Sequence, residues 1–179
     1  MKKIKLKIAN WVLKRNQKAL KRKKAIHNLD NAQLVGVIFS LDDLNSYQTI
    51  KQFLDFLTEK NLRIITIGYC SEKEIPNEFV GHSRINIFTP RDLNWYYVPI
   101  SPMVKKFMAQ EFDILFDLTI EDQFPPKYVN NISKAQFKIG RESGYNKEHD
   151  LMIKIEDKQG LQYLAEQIKY YISRINKEE

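Results

Sequence analysis

Lysine and arginine side chains are concentrated in the first 24 residues, and their chemistry is the binding of anionic groups such as phosphate. This segment contains eleven of these residues and no acid, since the first acidic residue is Asp30. The other 155 residues carry 18 basic and 22 acidic side chains, so the net charge of +7 combines a segment of +11 with a remainder of −4. Such a segment predicts a polyanionic partner. The cations expected to contact it are Lys3, Lys7, Lys14, Arg15, Lys18, Lys21 and Arg22.

One long helix is predicted to carry these cations. Residues 3–26 contain no proline or glycine and are rich in residues that favour helices. A projection at 100° per residue places the apolar side chains in a broad arc and most cations on the opposite side, although Lys5 and Lys23 interrupt the arc. The sequence therefore predicts a basic amphipathic helix within an N-terminal unit of residues 1–30.

This two-sided helix leaves three interpretations open. The preferred partner is RNA or a ribonucleoprotein surface such as a ribosome, because lysines along one side can follow a phosphate backbone without reading its sequence. The alternative is an anionic membrane surface, since Trp11 and aliphatic residues opposite the lysines are typical of an interfacial anchor. In the third interpretation, the apolar arc packs on the rest of the protein and the lysines are solvated.

A second group of polar residues follows the predicted strands. Ligands of parallel sheets bind beyond the carboxyl ends of the strands, where we expect Asp42, Asp43, Asp117 and Thr119. Arg141 lies in a glycine-flanked segment that could bind an anion. These five residues form the predicted ligand cleft. Each also has a simpler interpretation as part of a turn, a helix cap or a solvated loop.

The motifs of common enzyme classes are absent from the sequence. No glycine-rich dinucleotide turn follows the first strand, and no GxxxxGK[ST] loop occurs. The three histidines and Cys70 lack the spacing of a metal site. Trp95-Tyr96-Tyr97 could stack on bases or could attach an irregular segment to the core. We therefore expect no catalytic residue, metal or cofactor, and the sequence favours a binding protein over an enzyme.

The length of 179 residues suffices for a proper hydrophobic core, and a single cysteine is typical of a reducing cytosol. The apolar stretch of residues 8–13 is too short for a membrane span and has no cleavage site for export after it. These features predict a cytoplasmic protein.

Strands and helices alternate along residues 31–179. This pattern predicts a Rossmann-like α/β domain, a three-layer sandwich with a mainly parallel sheet of about five or six strands, preceded by the basic helix. Asn45 or Ser46 is expected to cap the first helix of this domain. The predicted strands are 34–39, 62–68, 84–88, 112–118, 136–139 and 151–155, and the main helices run from about 45 to 60, 102 to 110, 125 to 132 and 158 to 175.

Two resemblances concern the same domain. The overall layout, with residues 35–39, 92–96 and 112–119, resembles an uncharacterised family of short proteins from Bacteroidota, which implies a bacterial cytoplasmic protein. Residues 112–118 and 135–141 are similar to the N-terminal half of heptosyltransferase-type glycosyltransferases. That similarity implies a shared fold and, as a further alternative, a partial nucleotide-sugar-binding domain. Those enzymes hold the sugar nucleotide largely with a second domain, for which this chain is too short.

Overall fold

A parallel sheet forms the centre of the computed structural model, which describes residues 1–41, 43–79, 85–142, 149–156 and 158–175. In this part of the chain the sheet has six strands in the order β3-β2-β1-β4-β5-β6, and every neighbouring pair is parallel. The strands are β1 (Leu34–Leu41), β2 (Arg63–Cys70), β3 (Ile87–Phe88), β4 (Ile114–Leu118), β5 (Phe137–Arg141) and β6 (Leu151–Ile153).

Helices cover both faces of the sheet and confirm the predicted Rossmann-like α/β class. The helices are α1 (Lys2–Ala19), α2 (Leu44–Glu59), α3 (Pro102–Ala109), α4 (Phe124–Ile132) and α5 (Leu161–Ile172). Short 3₁₀ turns occur at Asn77–Phe79 and Pro90–Asp92. One hydrophobic cluster lies between the sheet and α2 with α5, and a second lies between the sheet and α3, α4 and α1. No helix in the described residues is long and apolar enough to cross a membrane.

Strand β1 shows why the sequence pattern is informative. Val35, Val37 and Phe39 point into the cluster beneath α2 and α5, whereas Ile38 points into the cluster on the other face. Successive side chains of a strand alternate between faces, so a strand covered on both faces must be apolar throughout. The continuous apolar run therefore indicates a central strand, and β1 indeed lies between β2 and β4.

The N-terminal helix ends earlier than its composition predicts. Helix α1 stops at Ala19, and Leu20 has the extended backbone angles φ −74° and ψ 117°. From Leu20 the chain takes a non-helical path, where the N–H of Ala25 donates to the carbonyl of Gln136 at 3.2 Å. The prediction of a helix up to residue 26 is therefore wrong. Residues 20–26 make contacts with residues distant in sequence instead of forming the predicted last turns of the helix.

The cap of α2 also differs from the prediction. Asp43 has extended backbone angles, and its carboxylate accepts a hydrogen bond of 2.6 Å from the N–H of Ser46. Asp43, rather than Asn45 or Ser46, is thus the N-cap. This hydrogen bond from Ser46 is the largest contribution that lowers the pKa of Asp43.

Candidate functional site

One side of α1 is packed against the body of the protein. Ala9 and Leu13 are buried, with 0% and 4% exposure, in the cluster that contains Phe124 and Tyr128 of α4. Leu6, Val12 and Ile8 are half-buried. The apolar positions that face α4 supply the stabilisation of this contact, because burial of their surface removes it from water.

Polar contacts fix the position of α1 on α4. The side-chain amide of Asn16 donates to the hydroxyl of Tyr128 at 2.7 Å, and the amide of the next residue, Gln17, donates to Asn131, which lies one turn after Tyr128 on α4. At the other end, the Lys5 ammonium lies 5.9 Å from the centre of the Tyr97 ring. Contacts at both ends and in the middle hold α1 in one orientation, so its outward face is defined.

The outward face of α1 is a cationic surface with two apolar side chains in it. We call this set the outer face; its members are Lys3, Ile4, Lys7, Trp11, Lys14, Arg15 and Lys18. All seven are exposed, Ile4 by 63% and Trp11 by 62%. Lys7, Trp11, Lys14 and Lys18 follow at i, i+4, i+7 and i+11, which places them along one side of a helix. The prediction that Trp11 lies opposite the lysines is therefore wrong, since Trp11 is exposed among them. At 1.5 Å per residue, the outer face is about 22 Å long.

Open space lies beside Trp11 on the outer face. It has a volume of about 850 Å³ and runs along α1, and its described lining is Trp11, Lys14, Arg15, Gln17, Lys18 and Ala19. The guanidinium carbon of Arg15 lies 5.8 Å from the centre of the Trp11 ring, the geometry of a cation–π contact. An aromatic ring and three cations therefore border the same space.

Of the seven predicted cations, Arg22 has a different role. Its guanidinium donates to the main-chain carbonyls of Ala135 and Gln136 and forms an ion pair with Asp150. Its side chain is only 11% exposed. Arg22 therefore holds the segment after α1 onto the amino end of β5, while Lys21, its exposed neighbour, lies on that non-helical segment.

The carboxylate of Asp150 interacts with two further nitrogen donors in addition to Arg22. Lys24 lies 3.1 Å from one of its oxygens, and the N–H of Lys138 donates to the other at 2.9 Å. Burial raises the pKa of Asp150, but these hydrogen bonds outweigh burial and the net shift is downward. The charged carboxylate is thus the form that the folded state favours.

Replacing Asp150 by Asn should lower the free energy of unfolding at about pH 7, and the loss should shrink in acid. The folded-state pKa of Asp150 is lowered, so its contribution is complete above the unfolded value of about 3.9 and disappears as the pH falls through the lower folded value. Urea unfolding of wild type and D150N at several pH values below about 5 measures this. A D55N variant, altered at an exposed carboxylate of α2, is the control. A constant difference between D150N and wild type down to about pH 2 would contradict the assignment.

The predicted ligand cleft is not a single site. Asp117 is 4% exposed, and its carboxylate accepts hydrogen bonds from the Thr119 N–H at 3.0 Å and the Thr119 hydroxyl at 2.7 Å. Arg141 is half-buried at the end of β5. Asp42 lies outside the described residues. Among the five predicted residues, Asp43 is the one that lines a cleft at the carboxyl ends of β1 and β4.

That cleft lies where the strand order reverses, between β1 and β4. Its volume is about 450 Å³, and its walls include Ser40 of β1, Thr49 of α2, Glu121 after β4, and Gly160 at the start of α5. Two carboxylates and several hydroxyls give it a polar, acidic lining. Such a lining repels a polyanion. The cleft and the outer face are therefore suited to different ligands.

Sequence reasoning missed a buried polar cluster around His149. The Nε2 atom of His149 lies 3.0 Å from a carboxylate oxygen of Asp117 and 3.0 Å from the amide nitrogen of Asn130. The side chains of His149 and Asp117 are each 6% exposed. Gly140 makes room for the ring, since a Cβ atom there would lie 2.5 Å from Nε2. The glycine before Arg141 was the only signal in the sequence, and the enclosure of the pair indicates a structural role.

The segment Trp95-Tyr96-Tyr97 is held by the side chain of Asn94 and by packing on the core. The side-chain oxygen of Asn94 accepts hydrogen bonds from the N–H groups of Tyr96 and Val98, and Tyr96 and Tyr97 pack on the second cluster. Trp95 is 61% exposed.

In the described residues, no group of three or more His, Cys, Asp or Glu side chains could hold a metal ion.

The fold and the surface together define a class: a Rossmann-like α/β domain that carries a docked, cationic N-terminal helix. Residues 5–175 match a family of unknown function, DUF6913, and the chain belongs to this family. The match includes most of α1, so the helix is part of what defines the family. No curated protein and no solved structure matches the chain. The resemblance to an uncharacterised family is thus confirmed in its coarse form, whereas the Bacteroidota origin and the glycosyltransferase similarity stay predictions.

Proposed function

We propose that this protein binds a polyanion, preferably RNA or a ribonucleoprotein surface, through the outer face of α1, and that it catalyses no reaction there. The observation that supports the proposal most directly is the orientation of the helix. Its packed side uses Leu6, Ala9 and Leu13 to contact the body, and its cations remain in water. Free lysines and arginines on a fixed helix are suited to phosphate groups, whose counterions they displace.

The charge distribution supports a partner that is attracted from a distance. The first 24 residues carry +11, and the remainder of the chain carries −4. A polyanion is therefore steered to one end of the molecule and is repelled by the rest, so that the field selects both the site and the orientation. In a cytoplasmic protein of a bacterium, which the sequence predicts, RNA is the most abundant polymer of this chemistry.

Attachment to an anionic membrane is the second candidate, and the exposure of Ile4 and Trp11 favours it. An interfacial helix inserts a continuous apolar face into the lipid boundary. Here most of that face already packs on α4, and the exposed apolar side chains are separated by cations. The remaining apolar area is too small for deep insertion, and for this reason we favour RNA.

A salt series with the full-length protein tests the proposal. If the five cations of the outer face each contact a phosphate, the logarithm of the affinity for a short fluorescent RNA should fall with the logarithm of salt concentration with a slope of about −3.5. Between about 50 and about 200 mM salt, this slope weakens binding roughly 100-fold. Sedimentation with vesicles that contain anionic lipid, run in parallel, measures the second candidate. Binding to vesicles without binding to RNA would overturn the proposal.

A further inference from the structure

We propose that Trp11 is a stacking platform for one unpaired base, so that the outer face prefers single-stranded RNA to a duplex. This inference rests on the proposed function and names the form of RNA that the surface selects. It starts from the difference in exposure between Trp11 and the large apolar residues of α1 that belong to the second hydrophobic cluster. Leu13 is 4% exposed, whereas Trp11 is 62% exposed in the middle of the cations.

The surroundings of Trp11 match the needs of a nucleotide. The ring borders open space along α1, together with the cations Lys14, Arg15 and Lys18, so a base can reach its face. A base on the indole would place its flanking phosphates near side chains that carry positive charge. The Arg15 guanidinium, 5.8 Å from the ring centre, could extend the stack.

Duplex RNA cannot use this ring in the same way. In a duplex the faces of the bases are covered by their neighbours, and proteins contact mainly the phosphates and the 2′-hydroxyl groups. Unpaired bases in loops or at ends can turn outward and stack on an aromatic side chain. The cations of the outer face serve both forms of RNA, but Trp11 serves only the unpaired one. The predicted preference therefore depends on a single side chain.

The cleft at β1 and β4 does not compete for this role. Asp43 and Glu121 give it negative charge, which repels phosphates. A lipid surface, the other partner for a Trp among lysines, would require the apolar residues that α1 has already packed on α4. The observations thus favour a base over an acyl chain at Trp11.

The test uses the fluorescence of Trp11 itself. The chain has two tryptophans, so the substitution Trp95→Phe leaves Trp11 as the single tryptophan, whose emission is excited selectively at wavelengths that tyrosine does not absorb. We expect a single-stranded RNA oligonucleotide to quench the emission, and a duplex of the same sequence to bind without quenching. In anisotropy measurements at constant salt, W11A should weaken single-strand binding by about 5-fold to 150-fold and leave duplex binding unchanged. W11F should recover part of the affinity, because phenylalanine also stacks.

The outcomes separate the two proposals. If both RNA forms bind equally, and W11A changes neither, the stacking inference is overturned while the proposed function stands. If neither RNA binds, both are overturned. A blue shift of Trp11 emission with anionic vesicles, in the absence of RNA binding, overturns both and assigns the outer face to lipid. Loss of duplex binding in W11A would show a general disturbance of α1 and also contradicts the inference.

Discussion

Replacing Lys7, Lys14 and Lys18 by glutamine should weaken RNA binding about 100-fold at about 0.1 M salt. Each cation that contacts a phosphate contributes about 0.7 to the slope of log affinity against log salt for a single strand. Removal of three such contacts lowers the magnitude of the slope by about 2.1, from about 3.5 to about 1.4. The three side chains are exposed, so the fold should be unaffected. Fluorescence anisotropy over a salt series measures both the affinity and the slope.

A control variant must remove the same charge from another surface. Lys51 of α2, Lys60 at the C-terminal cap of α2 and Lys158, just before α5, are exposed lysines on the layer opposite α1. Glutamine at these three positions gives the same net charge as the outer-face variant. We expect its salt slope to remain near the wild-type value, because its cations do not contact RNA. Equal losses of affinity in the two variants would show that net charge, rather than the outer face, governs binding.

Replacing Leu13 by alanine should lower the free energy of unfolding by about 2 to 3 kcal/mol. Leu13 is 4% exposed and lies in the cluster that joins α1 to α4, so the change removes buried surface and leaves a cavity. Alanine is at least as favourable as leucine in a helix, so helix propensity does not account for the loss. Urea unfolding, with the slope compared between variants to verify two-state behaviour, measures the change.

Ile4→Ala is the matched control for Leu13→Ala. Ile4 belongs to the same helix but is 63% exposed on its outer face. We expect a change within about 0.5 kcal/mol, as is usual for surface positions. This pair of variants decides whether α1 is an integral part of the fold. Equal stabilities of L13A and I4A would mean that the helix is detached in solution, and the orientation on which the proposed function rests would then be lost.

The elements of the body could be predicted because their signals are local. The apolar run of β1 and the spacing of Ile50, Phe53, Leu54 and Leu57 in α2 reflect which faces are buried, and all of these α2 residues are buried. Asp43 shows the limit of such reasoning at the scale of one turn. Several neighbouring residues can cap a helix, and only the extended backbone at Asp43 selects one of them.

The candidate sites could be predicted less completely. His149 and Asp117 meet although 32 positions separate them, and nothing in their local sequences indicates the contact. Asp117 lies near the end of β4 and Asp43 follows the neighbouring β1, yet Asp117 points beneath α4 and Asp43 caps α2. Alternation along a strand determines that two residues lie on opposite faces of it. It does not determine which face of the sheet is enclosed or which borders a cleft.

Local periodicity and composition suffice to establish the alternation of strands and helices, the two-sided character of α1 and the concentration of +11 in the first 24 residues. Three further features depend on packing: α1 ends at Ala19, Arg22 binds groups 113 to 128 positions away, and the Leu13 side of α1, rather than the Trp11 side, is buried. The physical reason is that these features depend on contacts between segments far apart in the chain, such as α1 with α4.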